Sequence, residues 1–380
     1  MAAVSLLVVA ALAWFSLRRL VFLVAAFVPA RQIAAQAPDH SVTVIVPAHD
    51  EGSVVDRLVQ SLERLDYPQE LLRFVFVSDG SHDGTAVRLQ AWAEARRAVE
   101  VIELSERLGK GGALSAALAH VETELVIVLD ADLEPRPDFL KRLLPVFADD
   151  TVGAAAGFVQ PRQAEGSAAG RYAAVTAWVH QLVTSAAKDR LSLNPSTHGA
   201  SCYRRAALEV AGGFPATPDP DTAASVALTR LGWTTRFVPS AIAEHSVHET
   251  LRQYWQQHLR WTRGSITARP RRIGRSQASL PRRVEAWSAA TGYLDRVLLL
   301  VAVGLVAAGS LPWWILLAYL ALPALQVVVA LAKAGELRHA PGYLFSTGLV
   351  FGVDVAGSVV GLVSHLRRGR LRWESRRAAA

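Results

Sequence analysis

The sequence predicts an α/β domain, with a mostly parallel sheet and helices on both faces, carried on transmembrane segments. Three observations predict it. Apolar runs alternate with amphipathic stretches between residues 41 and 240, the pattern of repeated strand–helix units. Two of those runs end in carboxylates, at Asp79 and at Asp130-Ala131-Asp132, and the carboxyl ends of strands in an open α/β sheet are where ligands bind. Uncharged apolar stretches flank the domain on either side.

In chain order, residues 42–46 predict the first strand, and 53–65 an amphipathic helix that stops before Tyr67-Pro68. Strand 74–77, helix 85–96, strand 101–104, helix 110–120 and strand 125–129 follow. A helix is expected over 222–231, ended by Gly232. The amino-terminal apolar runs, 3–17 and 20–30, are separated by Arg18 and Arg19. Neither is clearly the length of a bilayer span. They predict one tilted span with its arginines reaching the headgroups, or one span plus an interfacial helix. Basic residues after the first run and none before it argue against a cleaved leader and for an outside amino terminus with a cytoplasmic domain. Beyond residue 290 come apolar stretches near 297–311, 312–332 and 343–364. Three simple spans would put the final basic cluster, Arg367 to Arg377, outside. The third stretch holds Gly352, Asp354, Gly357 and Gly361, so it is expected to be re-entrant or interfacial, or else to break the positive-inside rule.

Composition narrows the function. The chain has 380 residues, is 51% hydrophobic and carries a net charge of +7. One soluble domain plus membrane segments fits this. The single Cys202 excludes an internal disulfide framework and a cysteine metal cage, and is expected to be a small packed side chain. Basic residues flank apolar spans rather than forming a stripe interleaved with aromatics, which argues against nucleic acid and for a membrane partner.

Six segments carry candidate chemistry. Pro47-Ala48-His49-Asp50-Glu51 closes the first strand. Asp79-Gly80-Ser81 closes the second, and Asp83 is placed to cap the following helix. Gly109-Lys110-Gly111-Gly112 opens a helix but lacks the spacing of a nucleoside-triphosphate P-loop. Two carboxylates ending a buried strand, Asp130 and Asp132, are costly unless compensated. A hard divalent cation, Mg²⁺ or Mn²⁺, bound by Asp132 and bridging to a diphosphate, is the natural compensation. Asp219-Pro220-Asp221 precedes the helix at 222. Gln257, Arg260 and Trp261 share a helical face at spacings of three and four.

Together these segments resemble family 2 nucleotide-sugar glycosyltransferases, in the membrane-bound branch that includes cellulose, chitin, hyaluronan and poly-N-acetylglucosamine synthases. Gln257-His258-Leu259-Arg260-Trp261 matches the family's Gln-x-x-Arg-Trp completely. His198 to Arg205 is similar to its Gly-x-x-x-x-x-Arg-Arg acceptor-side segment. Five positions depart from the usual pattern: His49 and Asp50, Ser78 before Asp79, Ser115, and Pro220 where a Glu is usual.

The resemblance, over residues 41 to about 265, implies a GT-A (Rossmann-like) fold and inverting transfer from a UDP-sugar. It implies that Pro47, Glu51 and Asp79 lie at the nucleoside, Lys110 and Asp130 near the nucleotide, and Asp132 and Asp130 at the metal. Gln257 and Arg260 would sit near the diphosphate and Trp261 at the acceptor. Asp221 would be the base, with Asp219 its rival. The implied organisation is a membrane anchor over 1–35, the GT-A domain over 36–240, an interfacial helix and basic loop over 241–290, membrane segments over 291–366 and a basic tail over 367–380. The expected setting is the cell (inner) membrane, multi-pass, with a cytoplasmic catalytic domain. The acceptor is expected to be a lipid, with a glycan as alternative if the enzyme is a processive polysaccharide synthase. A catalytically silent scaffold that binds nucleotide sugar is the non-enzyme alternative.

Overall fold

The computed structural model describes residues 2–31, 40–94, 96, 98–162, 164–217, 219–247, 250–267, 277–292 and 294–366, with backbone alone at 165, 260–267, 290 and 364–366. Its centre is a sheet of eight strands: β1 (Val42–Ala48), β2 (Leu72–Asp79), β3 (Val99–Leu104), β4 (Leu125–Leu129), β5 (Glu134–Pro135), β6 (Val152–Arg162), β7 (Ala200–Arg204) and β8 (Thr234–Ser246). They lie side by side in the order β3-β2-β1-β4-β7-β6-β8-β5.

The first half is parallel, as expected. Val42 of β1 faces Leu72 of β2 on one side and Leu125 of β4 on the other. β1 and β4 are buried along their whole length, and continuous Val/Ile/Leu runs suit a sheet covered on both faces. Alternate side chains feed two cores. Val44, Val46, Phe76, Ile127, Phe139 and Phe147 pack on one face; Ile45, Val77, Leu114, Val128, Tyr203 and Leu228 pack on the other.

The second half departs from the expected mostly parallel sheet. β7 runs antiparallel to β4 and to β6, and β8 is parallel to β6 but antiparallel to β5. β6 is built on Gly153-Ala-Ala-Ala-Gly157, residues of low strand propensity, so its pattern did not announce a strand. The reversal has a consequence for the site. Leu129 at the end of β4 faces Ala200 at the start of β7, so the Asp130 and Gly199 segments meet.

The apolar ends dock on this domain. The amino-terminal runs form one helix, Ala2–Ala25. Its Val8, Leu12 and Phe15 pack with Leu299, Ala302 and Leu305 of helix Leu294–Ala307 and with Tyr319 of helix Trp314–Ala334. At the other end, Ala26 packs with Val327, Ala330 and Leu331 against Phe158, Val175 and Trp178 of the α/β domain. Helices Ala2–Ala25 and Trp314–Ala334 therefore run side by side in the same direction. Arg18 and Arg19 are not headgroup anchors: Arg18 pairs with Glu285 at 2.7 Å and Arg19 with Asp295. The third carboxyl-terminal stretch is one continuous helix, Ala340–Leu366, of 27 residues. Among the described residues, three helices are long and apolar enough to cross a membrane: Ala2–Ala25, Trp314–Ala334 and Leu337–Val363.

Phe76 is fully buried and meets Trp92 edge-on at 5.5 Å. Phe76→Ala is expected to cost about 3–5 kcal/mol, a fall in Tm on the order of 10 °C, checked by thermal unfolding of the detergent-solubilised chain.

Candidate active site

The loops after β1 and β2 are stapled to each other. The Gly52 N–H donates to Asp83 Oδ2 at 2.9 Å, the Glu51 N–H to Thr85 Oγ1 at 2.9 Å, and the His82 N–H to Asp50 Oδ1 at 2.8 Å. Burial works against the Asp83 carboxylate, but the Thr85 hydroxyl and the Gly52 and Thr85 amides outweigh it and hold the group below its usual range. Asp83 thus ties the two loops as well as the start of helix Thr85–Ala93.

Asp79 is completely buried. Its two oxygens accept from the N–H groups of Leu108 at 2.7 Å and Gly109 at 2.9 Å. This clamps the turn that launches helix Gly109–Leu118 and hence fixes Lys110. Ser115, where the family pattern has Asn, donates to the carbonyls of Gly111 and Phe214 at 2.9 and 3.0 Å. It fastens the same helix to the segment leading to Asp219.

Lys110 Nζ then lies 2.6 Å from Asp130 Oδ1 and 2.6 Å from Asp221 Oδ2. Three chain segments meet at this ammonium: the end of β4, the start of helix Gly109–Leu118 and the start of helix Pro220–Arg230. The two acidic candidates before residue 222 separate here. Asp219 is the helix cap, accepting from the Thr222 N–H at 3.3 Å. Asp221 lies one position inside the helix and turns to Lys110, while its Oδ1 is buried without a hydrogen-bond partner. Burial drives the Asp221 carboxyl upward, the Lys110 ammonium pulls it back, the Asp130 charge pushes it up again, and it settles at about 6. For Lys110, burial opposes the ammonium, but Asp130 and Asp221 outweigh it and raise its pKa above the usual lysine value.

The Asp221 backbone is held as firmly. Its carbonyl accepts from Thr197 Oγ1 at 2.9 Å, and Thr197 Oγ1 accepts from the Tyr203 hydroxyl at 2.8 Å. Gly199 makes the approach of the two halves possible. Its carbonyl accepts from the Asp130 N–H at 2.8 Å, and a Cβ on it would overlap the Asp130 carboxylate.

A cavity of about 1000 Å³ opens from this cluster. Pro47, Glu51, Lys110, Asp130, Asp132, Asp221 and Gln257 all line it; Asp79 stands behind it. The side chains of Arg260 and Trp261 lie outside the described residues, as does His248; their helix backbone, Leu251–Thr267, is described for the first two. His245 lines the cavity and donates through Nδ1 to the Ser246 carbonyl at 2.9 Å. Cys202 is fully buried, and burial pushes its thiol well above the ordinary range, which suits packing.

The same cavity runs on between the apolar helices, past Phe15, Phe22, Tyr319, Pro323 and Phe351. Its far wall holds residues that sequence motifs missed: Arg18, Arg19, Lys188, Glu285, Asp295, Arg296 and Asp354. They are paired with one another: Lys188 meets Glu285 at 2.8 Å, and Arg296 meets Asp295 at 2.9 Å and Asp354 at 3.2 Å. For Arg18, Arg19 and Asp354 the available signal was an ionisable residue within or between apolar runs, which marks function by default in a membrane segment. His180 and His198 also line the cavity; burial lowers both to about 4, so they stand neutral at physiological pH.

Comparison with known proteins agrees with this fold. The sequence model of "Glycosyl transferase family 2" matches residues 43–211. An N-acetylglucosaminyltransferase of Rhizobium leguminosarum bv. viciae is 30% identical over 329 residues, 82% of this chain and 76% of that protein. A β-monoglucosyldiacylglycerol synthase of Trichormus variabilis is 26% identical over 346 residues, 87% of this chain and 65% of the relative. The solved mannosyltransferase PcManGT from Pyrobaculum calidifontis, in complex with GDP-Man and Mn²⁺, superposes with a TM-score of 0.67 at 23% identity, covering 96% of this chain and 99% of its own. The likeness to that structure is one of fold. The chain belongs to glycosyltransferase family 2. It is a glycosyltransferase of GT-A-like fold.

Gly199→Ala is expected to lower sugar transfer by about 10²-fold, because the Asp130 carboxylate must shift by an ångström or so to admit the methyl. Steady-state rates beside the melting temperature check this, with the rate falling far more than the stability.

Proposed function

We propose that this glycosyltransferase moves a sugar from a UDP-sugar to a membrane lipid, with inversion at the sugar carbon. The observation that carries the reading is the cavity. One continuous space joins the Lys110–Asp130–Asp221 cluster to a wall of Phe15, Phe22, Tyr319, Pro323 and Phe351 from apolar helices. A polar donor can be held at one end and a lipid at the other. One relative's name, β-monoglucosyldiacylglycerol synthase, is that of an enzyme making a glycolipid.

In this reading Pro47 and Glu51 border the nucleoside, with Asp79 fixing the turn behind it. Lys110 and Arg260 face the diphosphate, Gln257 stands beside it, and Trp261 packs on the acceptor. Asp221 takes the proton of the acceptor hydroxyl as that oxygen bonds to the sugar carbon and the bond to UDP breaks. Asp130 and Asp132 offer hard carboxylate oxygens that suit Mg²⁺ or Mn²⁺. Gly199 leaves the Asp130 carboxylate a cradle that a methyl would fill. Among the described residues no group of three or more His, Cys, Asp or Glu could hold a metal. A bound divalent cation would supply Lewis-acid stabilisation of the departing UDP.

The orientation follows from charge. Lys333 lies over the Phe27 ring at 5.4 Å, at the end of the helical bundle that faces the catalytic domain. Basic residues mark the cytoplasmic side, so the catalytic domain is cytoplasmic and the protein sits in the cell membrane.

UDP release from UDP-glucose, UDP-galactose and UDP-GlcNAc, with Mg²⁺ or Mn²⁺ and native membrane lipids, tests the chemistry. Asp221→Asn is expected to slow turnover by about 10²–10⁴-fold, and Asp132→Asn to abolish its metal dependence. UDP binding without turnover in the wild type would instead favour the scaffold alternative.

Acidity gives a second check. Asp221 accepts a proton only when ionised, so the rate falls as pH drops through about 6. Lys110 lowers that pKa; Lys110→Gln leaves burial and Asp130 unopposed and moves the acidic limb to higher pH. A pH profile of kcat/KM for the donor, which reports the free enzyme's groups, reads the shift.

A further inference from the structure

Helix Leu251–Thr267, which carries Gln257, Arg260 and Trp261, is seated on the apolar helix Ala340–Leu366. The seat is polar at one point. Asp354 is 2% exposed within a stretch apolar enough to cross a membrane. A carboxylate there is expensive and is kept only with partners. Its Oδ1 accepts from the Tyr254 hydroxyl at 2.9 Å and lies 3.1 Å from His258 Nε2, and its Oδ2 accepts from Arg296 Nε at 3.2 Å. His258 Nε2 is thus a close neighbour of the Asp354 carboxylate. The same nitrogen lies 3.2 Å from Ser358 Oγ.

Packing follows the charges. Tyr254 and His258, one turn apart, stack at 5.7 Å, and Tyr172 meets Tyr254 edge-on at 5.3 Å. The chain of the last helix comes close enough that a Cβ on Gly357 would lie 2.9 Å from His258 Cδ2. Through Arg296 the network continues to Asp295 and then to Arg19 of the amino-terminal helix. Tyr254, His258 and Asp354 line the cavity together with Gln257.

We propose that Asp354 is a positioning residue for sugar transfer. It holds the Tyr254–His258 stripe of helix Leu251–Thr267, and so sets where the adjoining Gln257–Arg260–Trp261 stripe meets donor and acceptor. The inference rests on the reading of those three residues given above. Asp354→Asn is the discriminating change, since it keeps the side chain's size while removing the charge that Arg296, Tyr254 and His258 share. Asp79, Lys110 and the strand-end loops do not touch this network, so the nucleoside end of the donor site stays in place while the contacts of Gln257 and Arg260 are displaced.

The test uses the full chain in vesicles of total native membrane lipid, with the three labelled UDP-sugars as donors. Asp354→Asn is expected to lower transfer by about 10²-fold with a much smaller loss of UDP affinity. Tyr254→Phe removes one hydrogen bond and gives a smaller loss in the same direction. Amide hydrogen exchange across 251–267 is expected to quicken in Asp354→Asn while that of β4 stays as in wild type. Wild-type transfer in Asp354→Asn overturns the proposal, as does loss of UDP affinity in step with transfer, or unchanged exchange over 251–267. Trp261→Ala run alongside separates the two levels: full transfer in that variant brings down the reading of the motif itself, whatever Asp354→Asn does.

Discussion

One ammonium group organises the candidate active site. Lys110 Nζ stands 2.6 Å from a carboxylate of β4's end and 2.6 Å from a carboxylate of helix Pro220–Arg230. Two carboxylates brought together in a part-buried space repel each other and lose water, and a cation between them offsets both costs. Much of the surrounding fold serves to hold that cation. Asp79 clamps the turn before it, Ser115 fastens its helix, and Gly199 clears the space beside Asp130. The antiparallel return of β7 brings Gly199 and Thr197 to the end of β4. Thr197 in turn grips the Asp221 carbonyl.

The second constraint is the union of this site with the apolar helices. The cavity carries five acidic residues at one end, Glu51, Asp130, Asp132, Asp219 and Asp221, and Arg18, Arg19, Lys188 and Arg296 at the other. Glu285, Asp295 and Asp354 neutralise most of the basic end. Such a wall holds polar chemistry next to hydrocarbon without leaving isolated charges in it. It also ties four segments that are distant in sequence, so the seating of the apolar helices and the geometry of the cavity's apolar end are linked.

The strand-end chemistry was legible because it is local. Apolar runs closed by Asp79 and by Asp130-Ala131-Asp132 announce both strand and site. β6 was not legible: a Gly-Ala run gives no strand pattern, and only its neighbours β7 and β8 make it one. The choice between Asp219 and Asp221 also needed structure, since both sit at a helix start and only the fold shows which one caps and which one faces Lys110. Asp79 is the converse case. Its strand-end position was legible, but the N–H groups of Leu108 and Gly109 that its oxygens accept from are long-range partners that no spacing reveals. Arg18, Arg19 and Asp354 stood out as charges in apolar runs, yet their partners lie up to hundreds of residues away.

The most direct test of the account is the fate of a labelled sugar. The purified chain is incubated with labelled UDP-sugars and native membrane lipid, and the product is partitioned between organic and aqueous phases and sized. A shared cavity for donor and lipid predicts label in the organic phase, on a molecule bearing a single added sugar. Label that stays aqueous, in chains that lengthen with time, would contradict the lipid acceptor and identify a polysaccharide synthase instead.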